Sequence, residues 1–350
     1  MTSNVRLSPS RARTGPSQLD VARLAGVSGQ TVSRVANGAD NVLPETRDKV
    51  LQAMAALGYS PNSAARALRS GAFDTIGVIA HKLARTGESR TTEAVVEAAR
   101  AAGHTVTLVD VSSPSSQDMA AAVSQLSHQA IDGLVIIRAE LESADSLSLP
   151  PDLPVVVSDS QFHGRLATVG ADQEGGTRAA VEHLLELGHE TVHLLAGPSS
   201  SIPAAIRERA WRSTLEAHGR RVPEPFAGDW TPEAGFAAGT AIAQSSEVSA
   251  LFSANDEMAA GVLLALHRHG VRVPEDVSVV GFDNVPLAEF LWPPLTTVRQ
   301  DFARIGRELV ASLLTRMREG EPVEPYPTII PADLIVREST APPAPGRGGV

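Results

Sequence analysis

The sequence contains no cysteine, which excludes disulfide bonds, thiolate metal sites and cysteine nucleophiles. It also has no run of about 18 apolar residues, so we expect no transmembrane helix. The first residues lack the apolar core of a signal peptide, and the cytoplasm is therefore the expected location. With 350 residues, 43% of them hydrophobic, the chain is long enough for more than one folded unit.

Lysine is nearly absent as well, since only Lys49 and Lys82 occur and arginine provides every other basic side chain. The net charge of −10 is distributed unevenly along the chain. Residues 1–71 carry nine basic and four acidic side chains, a balance of +5, whereas the rest carries 21 basic and 36 acidic side chains, a balance of −15. A small basic segment on an acidic body is typical of a protein that binds nucleic acid at one end.

Residues 19–38 have the spacing of two short helices joined by a tight turn. Gly26 accommodates the left-handed backbone that ends a helix, and Ser28 is suited to cap the next one. Apolar side chains recur at helical spacing on both sides of this turn, namely Val21, Leu24, Ala25, Val32 and Val35. The pattern predicts a helix-turn-helix.

The second of these helices leaves a row of polar groups away from its apolar face. Such groups hydrogen bond to base edges and phosphates. The DNA-binding residues predicted here are Ser28, Gly29, Gln30, Thr31, Ser33, Arg34 and Asn37. A plain helical hairpin with a solvated polar face is the alternative interpretation. Since Gly29 offers no side chain to a base, the sequence leaves the DNA target open.

A third helix is predicted at residues 44–57, because Pro44 suits a first helical turn and Gly58 a C-terminal stop. Leu43 precedes it and has no capping oxygen, which costs about 1 kcal/mol. The next segment, 61–72, is Ala-rich and too short to be a stable helix alone in water. It fits a minor-groove wedge that folds against DNA, with an ordinary helical linker as the alternative. The predicted DNA contacts in this segment are Asn62, Arg66 and Leu68.

These segments together resemble the LacI/GalR family of bacterial repressors, over roughly residues 18–340. The resemblance implies that residues 61–72 form a hinge helix, with Leu68 as the side chain that opens a central base step. It also implies a homodimer on a pseudo-palindromic double-stranded operator. The matching sequence words are Asp20-Val21-Ala22, Ala25-Gly26-Val27-Ser28, Thr31-Val32-Ser33-Arg34-Val35, Asn37-Gly38, Pro44-Glu45-Thr46-Arg47, Leu57-Gly58-Tyr59 and Pro61-Asn62.

Beyond residue 73, short apolar runs alternate with amphipathic segments. This alternation predicts parallel sheets covered by helices on both faces, and two such series predict two doubly wound α/β lobes with a cleft between them. The resemblance implies a periplasmic-binding-protein-like body with three crossovers, expected near Gly170, Val298 and Thr328. The predicted strands are 76–79, 106–109, 134–137, 155–157, 192–195, 251–253 and 277–280, and the predicted helices are 91–102, 117–129, 172–187, 204–218, 232–243 and 256–269.

The expected fold class is therefore a small all-α headpiece followed by a two-lobed α/β effector domain. The predicted divisions are a disordered arm at 1–16, the headpiece at 17–60, the hinge at 61–72, the effector-binding and dimerisation domain at 73–340, and a disordered tail at 341–350. Within the effector domain, the N-lobe is expected at about 73–171 and 299–328, and the C-lobe at about 172–298 and 329–340.

Polar residues follow the predicted strands where a ligand cleft opens. Asp159, Asn255 and Asp283 each come after an apolar run, although capping is the common role of an isolated Asn or Asp. Trp230 fits a platform for the C–H face of a sugar, with a core position as the alternative. Arg207 has a fork that suits paired hydroxyls, with a surface salt bridge as the alternative.

The resemblance implies a small-molecule effector between the lobes and favours a sugar over a purine, because purine-binding members are expected to differ at the tryptophan. The N-lobe wall, residues 81–90, does not closely resemble that of the sugar-binding family member with the matching effector residues. Within it, Arg85 is expected in or near the pocket, where it could select a different or charged sugar. The effector residues implied by the resemblance are Asp159, Arg207, Trp230, Asn255, Asp283, Gln300 and Phe302.

The sequence has alternative interpretations to a sugar-controlled repressor. Asp159 and Asp283 together could act as glycosidase carboxylates, but a DNA-binding headpiece has no role in that reaction. A sugar-binding protein for transport would need an export signal. A DNA-binding regulator with a non-sugar effector or none stays open, and so does corepression in place of the expected induction. No metal site and no cofactor are predicted, and no enzyme activity is expected.

Overall fold

The structure, a computed structural model, describes residues 15–36, 39, 41–60, 72–111, 116–137, 149–158, 166–319 and 327–344. The chain divides into two compact units, Met1–Phe73 and Asp74–Val350, here called the headpiece and the body. Nowhere in those described ranges is there a helix with the length and apolar character needed to span a membrane. Five predicted site residues lie outside the described residues, namely Asn37, Asn62, Arg66, Leu68 and Asp159.

The described part of the headpiece contains the helices α1 (Gln18–Ala25), α2 (Gly29–Ala36) and α3 (Pro44–Leu57). Their apolar faces meet in a small core, as the sequence spacing predicts. The buried side chains of this core are Val21, Ala22, Val32, Val35, Val50, Ala53 and Met54. Burial of these faces supplies most of the stability of helices this short, because helices of eight residues are marginal in isolation.

The helix ends have the capping groups expected from the sequence, with one gap. Gly26 ends α1 with a φ of +67°, in the left-handed region. The Ser28 hydroxyl oxygen accepts from the Thr31 N–H at 3.1 Å, which caps the start of α2. Leu43 makes no side-chain cap bond to α3, in agreement with the weak cap predicted there. The helix-turn-helix is confirmed.

The body contains two sheets, and each defines a lobe. Lobe 1 has a parallel sheet in the order β10-β5-β4-β3-β1-β2. Its strands are β1 (Thr75–His81), β2 (Thr105–Val111), β3 (Gly133–Ile137), β4 (Val155–Ser158), β5 (Ala167–Ala171) and β10 (Thr328–Ile330), and its helices are α4 (Thr86–Ala101), α5 (Ser116–His128) and α10 (Phe302–Glu319).

Lobe 2 has a sheet in the order β11-β9-β8-β7-β6, parallel except where β11 pairs with β9. Its strands are β6 (His193–Leu195), β7 (Ala250–Ser253), β8 (Ser278–Asp283), β9 (Thr296–Arg299) and β11 (Asp333–Ile335). Its helices are α6 (Gln173–Glu186), α7 (Ile202–Ala217), α8 (Pro232–Ala243) and α9 (Asp256–Arg268), with a short 3₁₀ helix at Pro286–Phe290.

The chain passes between the two lobes after β5, between β9 and α10, and between β10 and β11. The third passage is predicted near Thr328 and comes a few residues later, because Ile329 and Ile330 still pair with β5. The structure also describes residues 341–344, which the sequence predicted to belong to a disordered tail. The N–H of Ala341 donates to the Ser278 hydroxyl, and its carbonyl accepts from the same group, so this residue is fixed to lobe 2.

Each sheet has a buried apolar cluster on both faces, which accounts for its nearly continuous apolar strands. In lobe 1, Ile76 belongs to one cluster and Ile79 to the other. In lobe 2, Leu251 likewise belongs to one cluster and Phe252 to the other. The two-lobed α/β body is confirmed. Side chains beyond the carboxyl ends of these strands are therefore available for a ligand.

Candidate functional site

The α2 helix divides its residues between the headpiece core and the surface. Val32 and Val35 are buried, whereas Ser28, Gln30 and Arg34 are exposed. The hydroxyls of Ser28 and Thr31 lie 3.0 Å apart, and Gly29 and Ser33 are half-buried. This exposed face carries a positive charge and several hydrogen-bonding groups, as a helix that reads a major groove requires.

A cavity of about 270 Å³ lies in the body. This volume is near the lower limit of about 300 to 1,000 Å³ that is usual for pockets of drug-sized ligands, so it suits a small molecule. Both lobes contribute to its wall. The lining residues from lobe 1 are Ala84, Arg85, Thr86, Gly87 and Glu88, and those from lobe 2 are Arg207, Asp229, Trp230, Thr231, Pro232, Asn255, Glu257 and Asp283.

Arg207 on α7 is almost fully buried, with 2% of its surface exposed. Its Nε donates to the Gln173 side-chain oxygen at 2.8 Å, and a terminal nitrogen donates to the Ala254 carbonyl. The other terminal nitrogen lies 3.5 Å from Asp283 Oδ1. The guanidinium stacks over the Phe282 ring, with its carbon 3.7 Å from the ring centre. These contacts fix the guanidinium plane, and they replace the surface salt bridge that was the alternative for this residue.

Two glutamines complete a closed hydrogen-bonded ring with Arg207 and Asp283. Gln173 accepts from Arg207 and donates from Nε2 to the Gln300 side-chain oxygen at 2.9 Å. Gln300 in turn donates to Asp283 Oδ1. All four side chains are buried. A buried polar network of this kind is rigid, because each group holds its neighbour and a lost partner is costly.

Asp283 and Trp230 both have backbone angles that are uncommon for side chains of their size. The φ of Asp283 is +109° and that of Trp230 is +77°. Positive φ in such residues costs free energy and is concentrated at ligand sites. The Trp230 ring also lies so close to Gly197 that a Cβ there would come within 2.5 Å of it. The ring is therefore held at the cavity wall, although part of it contacts the lobe 2 core.

Asn255 acts both as a helix cap and as part of the cavity wall. Its side-chain oxygen accepts from the Met258 N–H at 3.0 Å, which caps α9. Its Nδ2 donates to the Trp230 carbonyl at 3.1 Å and to Glu257 at 2.9 Å. The capping role considered for this residue is thus present, and the second role links α9 to the tryptophan loop.

The neighbouring carboxyl of Asp256 positions the end of β8 and does not line the cavity. It accepts from the Val285 N–H at 2.8 Å and from the Thr297 hydroxyl at 2.5 Å. Burial, and next to it the charge of Asp283, raises the pKa of Asp256 well above its ordinary value. The strand-end geometry that places Asp283 therefore depends on a carboxyl buried behind it.

The lobe 1 part of the wall is formed by the start of α4. Arg85 lies 3.7 Å from Glu88 in an ion pair, and Glu88 is 3% exposed. The Thr86 hydroxyl donates to Glu257 of lobe 2, which joins the two lobes across the cavity. The expectation that Arg85 lies at the pocket agrees with this position.

Two of the predicted effector residues do not line this cavity. Gln300 and Phe302 line a neighbouring opening of about 530 Å³ that shares Thr86 and Asp283 with it. The Phe302 side chain starts α10 and packs against the lobe 1 core, which keeps it from the cavity. Gln300 acts on the cavity through its bond to Asp283. The cavity wall contains the other four described effector residues, namely Arg207, Trp230, Asn255 and Asp283.

Three further residues of the site were not predicted from the sequence, namely Gln173, Glu88 and Glu257. Gln173 follows β5 closely, so the strand-end rule that selected Asp283 would have selected it as well. Glu257 comes two residues after Asn255. Within the described ranges, no group of three or more His, Asp or Glu side chains is arranged to hold a metal ion. The donors and acceptors at the cavity suit recognition of hydroxyl groups.

A helix-turn-helix headpiece attached to a two-lobed body with a small polar cavity defines a ligand-responsive DNA-binding regulator. Comparison with known families agrees: residues 19–62 match the bacterial regulatory proteins of the lacI family, and residues 181–340 match the periplasmic binding protein-like domain. The Lactose operon repressor of Escherichia coli (strain K12) is 36% identical over 331 residues, which cover 93% of this chain and 90% of that protein. The chain belongs to the lacI family of bacterial regulatory proteins.

Two solved structures show the same similarity. The Lac repressor dimer bound to operator and the anti-inducer ONPF aligns with a TM-score of 0.81 and 34% identity, covering 94% of this chain and all of that one. The transcriptional regulator CelR–cellobiose complex aligns with a TM-score of 0.68 and 32% identity, covering 93% and 99%. Members of this family bind DNA and respond to small-molecule effectors, and this chain has both parts.

Proposed function

We propose that this chain is a homodimeric repressor that leaves its operator when a small sugar binds between the two lobes. The observation that carries the proposal is the cavity in which Arg207, Asn255 and Asp283 surround the Trp230 ring. Planar forked groups match pairs of vicinal hydroxyls, and an aromatic face matches the C–H face of a sugar ring. One relative in the same family was solved with cellobiose, which supports a sugar.

DNA recognition is assigned to the headpiece. Its exposed Gln30 and Arg34 are suited to base edges and phosphates, and a relative was solved on its operator. Contacts from Ser28, Thr31 and Ser33 on the same helix-turn-helix belong to this proposal. The roles of Asn37, Asn62, Arg66 and Leu68 remain predictions from the sequence, with Leu68 as the minor-groove wedge.

The effect of ligand binding on operator affinity would be transmitted through lobe 1. Lobe 1 begins directly after the linker to the headpiece in the sequence, since β1 starts at Thr75. A sugar that contacts both walls favours one arrangement of the lobes, so it shifts the population between states of different operator affinity. The Thr86–Glu257 bond across the cavity is one contact that such a change would alter.

The dimer is supported by an exposed apolar segment on lobe 2. Leu287, Phe290 and Trp292 are 59%, 75% and 86% exposed and lie within six residues of one another. Neighbouring large apolar side chains at a surface mark interaction sites. A second copy of the chain is the proposed occupant, and a relative is a dimer in its solved structure. Equilibrium sedimentation of Phe290→Asp tests this, because that substitution should yield monomers.

Binding without catalysis is part of the same proposal. A glycosidase needs a free carboxylate pair, whereas Asp283 accepts from Gln300 and pairs with Arg207. The relatives are repressors by name. The proposed place of action is the cytoplasm, at the operator DNA.

The proposed function is tested in two stages with the full chain. An operator is first selected from random and genomic DNA fragments and measured by fluorescence anisotropy at several salt concentrations. Arg34→Ala should abolish specific binding, while the surface control Arg212→Ala on α7 should bind as the parent does. Sugars are then titrated into the complex. A parent protein that selects no DNA sequence refutes the repressor, and one that releases DNA with purines but no sugar refutes the sugar.

A further inference from the structure

Among the described residues that line the cavity, the charged groups are mostly negative. Two arginines, Arg85 and Arg207, face four carboxylates, Glu88, Asp229, Glu257 and Asp283. A confined site with low-dielectric walls strengthens such an imbalance, because solvent screens it less than it screens surface charges. The wall therefore disfavours a ligand that brings a further negative charge.

Both arginines lie beside carboxylates, so their charges are already balanced. Arg207 pairs with Asp283 at 3.5 Å, and Arg85 pairs with Glu88 at 3.7 Å. Arg207 is further committed to Gln173 and to the Ala254 carbonyl. An anionic sugar would have to compete with these partners for either guanidinium.

The other two carboxylates are bonded to neutral groups, which leaves their charge in place. Glu257 accepts from the Thr86 hydroxyl and from the Asn255 amide. Asp229 accepts from the Thr231 hydroxyl and N–H, and these bonds lower the pKa of Asp229, so it is ionised at neutral pH. These two groups make the net charge negative over the part of the wall that the structure describes.

Glu88 differs from the other carboxylates because no described residue donates a hydrogen bond to its carboxylate. Its contact with Arg85 is longer than a hydrogen bond, yet 97% of the residue is buried, as 3% remains exposed. A buried carboxylate ordinarily receives several donors, since burial without them is costly. Here the carboxylate lines the cavity, and a ligand can supply the missing donors.

We propose that Glu88 is a specificity-determining residue that accepts a hydrogen bond from a ligand hydroxyl or ammonium group and excludes anionic sugars. The ligand class is a neutral sugar or an amino sugar, and uronates and sugar phosphates are rejected. This inference rests on the proposed sugar function and assigns its charge selectivity to lobe 1. It also changes the role expected for Arg85, which balances Glu88 and does not recruit a charged sugar.

The test uses the full chain and two matched series of ligands. Glucose and galactose are each presented as the neutral hexose, the hexosamine, the hexuronate and the phosphate ester, together with cellobiose and lactose. Binding is followed by calorimetry and by tryptophan fluorescence. Glu88→Gln keeps the size of the side chain and removes its charge, whereas Arg85→Gln removes the balancing charge. Glu93→Gln is the control on the same helix, because Glu93 forms an exposed ion pair with Arg90 and does not line this cavity.

The parent should bind a neutral or amino member of a series more tightly than its anionic members. Glu88→Gln should lower the affinity ratio of hexosamine to hexuronate by about tenfold, and Arg85→Gln should raise it by a similar factor. Glu93→Gln should leave the ratio as it is in the parent. A purely structural role for Glu88 would change the melting temperature and would not move the ratio in opposite directions for the two variants.

Two other outcomes separate the inference from the function on which it rests. If an anionic sugar binds the parent more tightly than its neutral counterpart, the charge selectivity is overturned and the sugar function stands. If no member of either series binds at millimolar concentration, both the sugar function and the assignment of Glu88 fail. An unchanged affinity ratio in both cavity variants also overturns the inference.

Discussion

The two walls of the cavity are built in different ways. The lobe 2 wall is a closed network in which Arg207, Gln173, Gln300 and Asp283 hydrogen bond to one another while buried. The lobe 1 wall is the first turn of α4, where Arg85 pairs with Glu88 and the Thr86 hydroxyl donates to Glu257 of lobe 2.

This difference separates two tasks of a binding site. The lobe 2 network is rigid before any ligand arrives, so it can recognise hydroxyl groups at fixed positions with little ordering cost. In the lobe 1 wall, no described residue donates to the Glu88 carboxylate, and the Thr86 hydroxyl bonds to the other lobe. We therefore expect substitutions in lobe 2 to abolish binding and substitutions in lobe 1 to change what is bound.

The largest effect is expected for Asp283→Ala. It removes the carboxylate that lies 3.5 Å from the buried Arg207 guanidinium, and breaking a buried ion pair costs about 3 to 5 kcal/mol. Effector affinity should fall by about a hundredfold or more, so that the variant stays on its operator when the sugar is added. Anisotropy of the operator complex during sugar titration measures the release directly.

Asp283→Asn and Glu208→Ala serve as comparisons for that variant. The asparagine keeps the shape and loses the charge. Glu208 is a half-buried neighbour of Arg207 on α7, and its replacement should leave sugar affinity unchanged. Release of operator by Asp283→Ala at the parental sugar concentration would show that the lobe 2 network does not bind the effector.

We expect acidification to lower the free energy of unfolding, because His193 on β6 is buried in lobe 2. Burial lowers the pKa of His193 to about 4, with a smaller effect of the Arg221 charge. The unfolded chain takes up this proton near the ordinary pKa of 6.5, so stability from the neutral ring is complete above that pH and is lost as pH falls towards about 4. The loss is at most about 3 kcal/mol.

Chemical denaturation of parent and His193→Phe between pH 7 and pH 4 tests this, since phenylalanine cannot take up a proton. The variant should lose less stability on acidification, while the exposed control His267→Gln should follow the parent. Parallel pH curves for parent and His193→Phe would contradict the assigned pKa.

Trp230→Ala is expected to have an intermediate effect. The ring lines the cavity and lies 5.6 Å from the Arg207 guanidinium carbon, so its removal takes away a face for the sugar and a cation–π contact. Sugar affinity should fall by about tenfold, and Trp230→Phe should fall less because an aromatic face remains. Calorimetry with a sugar that binds the parent measures both. Equal affinities for parent and Trp230→Ala would place the sugar away from this ring.

The sequence predicted the lobes well where apolar runs are long and buried. The strands β1, β3, β4, β7 and β8 are completely or almost completely buried, and their runs of Val, Ile and Leu are visible in the sequence. The strands β10 and β11 have three residues each, mostly not buried, and no such run identifies them. Their position depends on pairing with β5 and β9, which are distant in sequence.

The two walls also differ in how far the sequence predicted them. Asn255 and Asp283 follow strand ends, a position that topology ties to ligand binding, whereas Arg207 was predicted from its forked guanidinium and the family resemblance. Glu88 could not be selected in that way. The start of α4 was placed at Thr91 rather than Thr86, because its polar first turn has the composition of a loop. The burial of Glu88 comes from the cleft itself, and local sequence contains no signal for it.

The smallest effect is expected for Thr86→Val, which probes the bond between the walls. Valine keeps the volume and removes the hydroxyl that donates to Glu257, while Glu257 retains its bond from Asn255. A single hydrogen bond at a half-buried site contributes about 1 kcal/mol, so sugar affinity should fall by about fivefold.

Thr240→Val is the control, because its hydroxyl bonds to a carbonyl within its own helix, α8. If the lobe 1 wall contributes to closure, the loss for Thr86→Val should lie mainly in faster dissociation of the sugar, which stopped-flow fluorescence resolves. A dissociation rate equal to that of the Thr240→Val control would mean that the two walls bind the sugar without this bond, and that lobe 1 acts through charge alone.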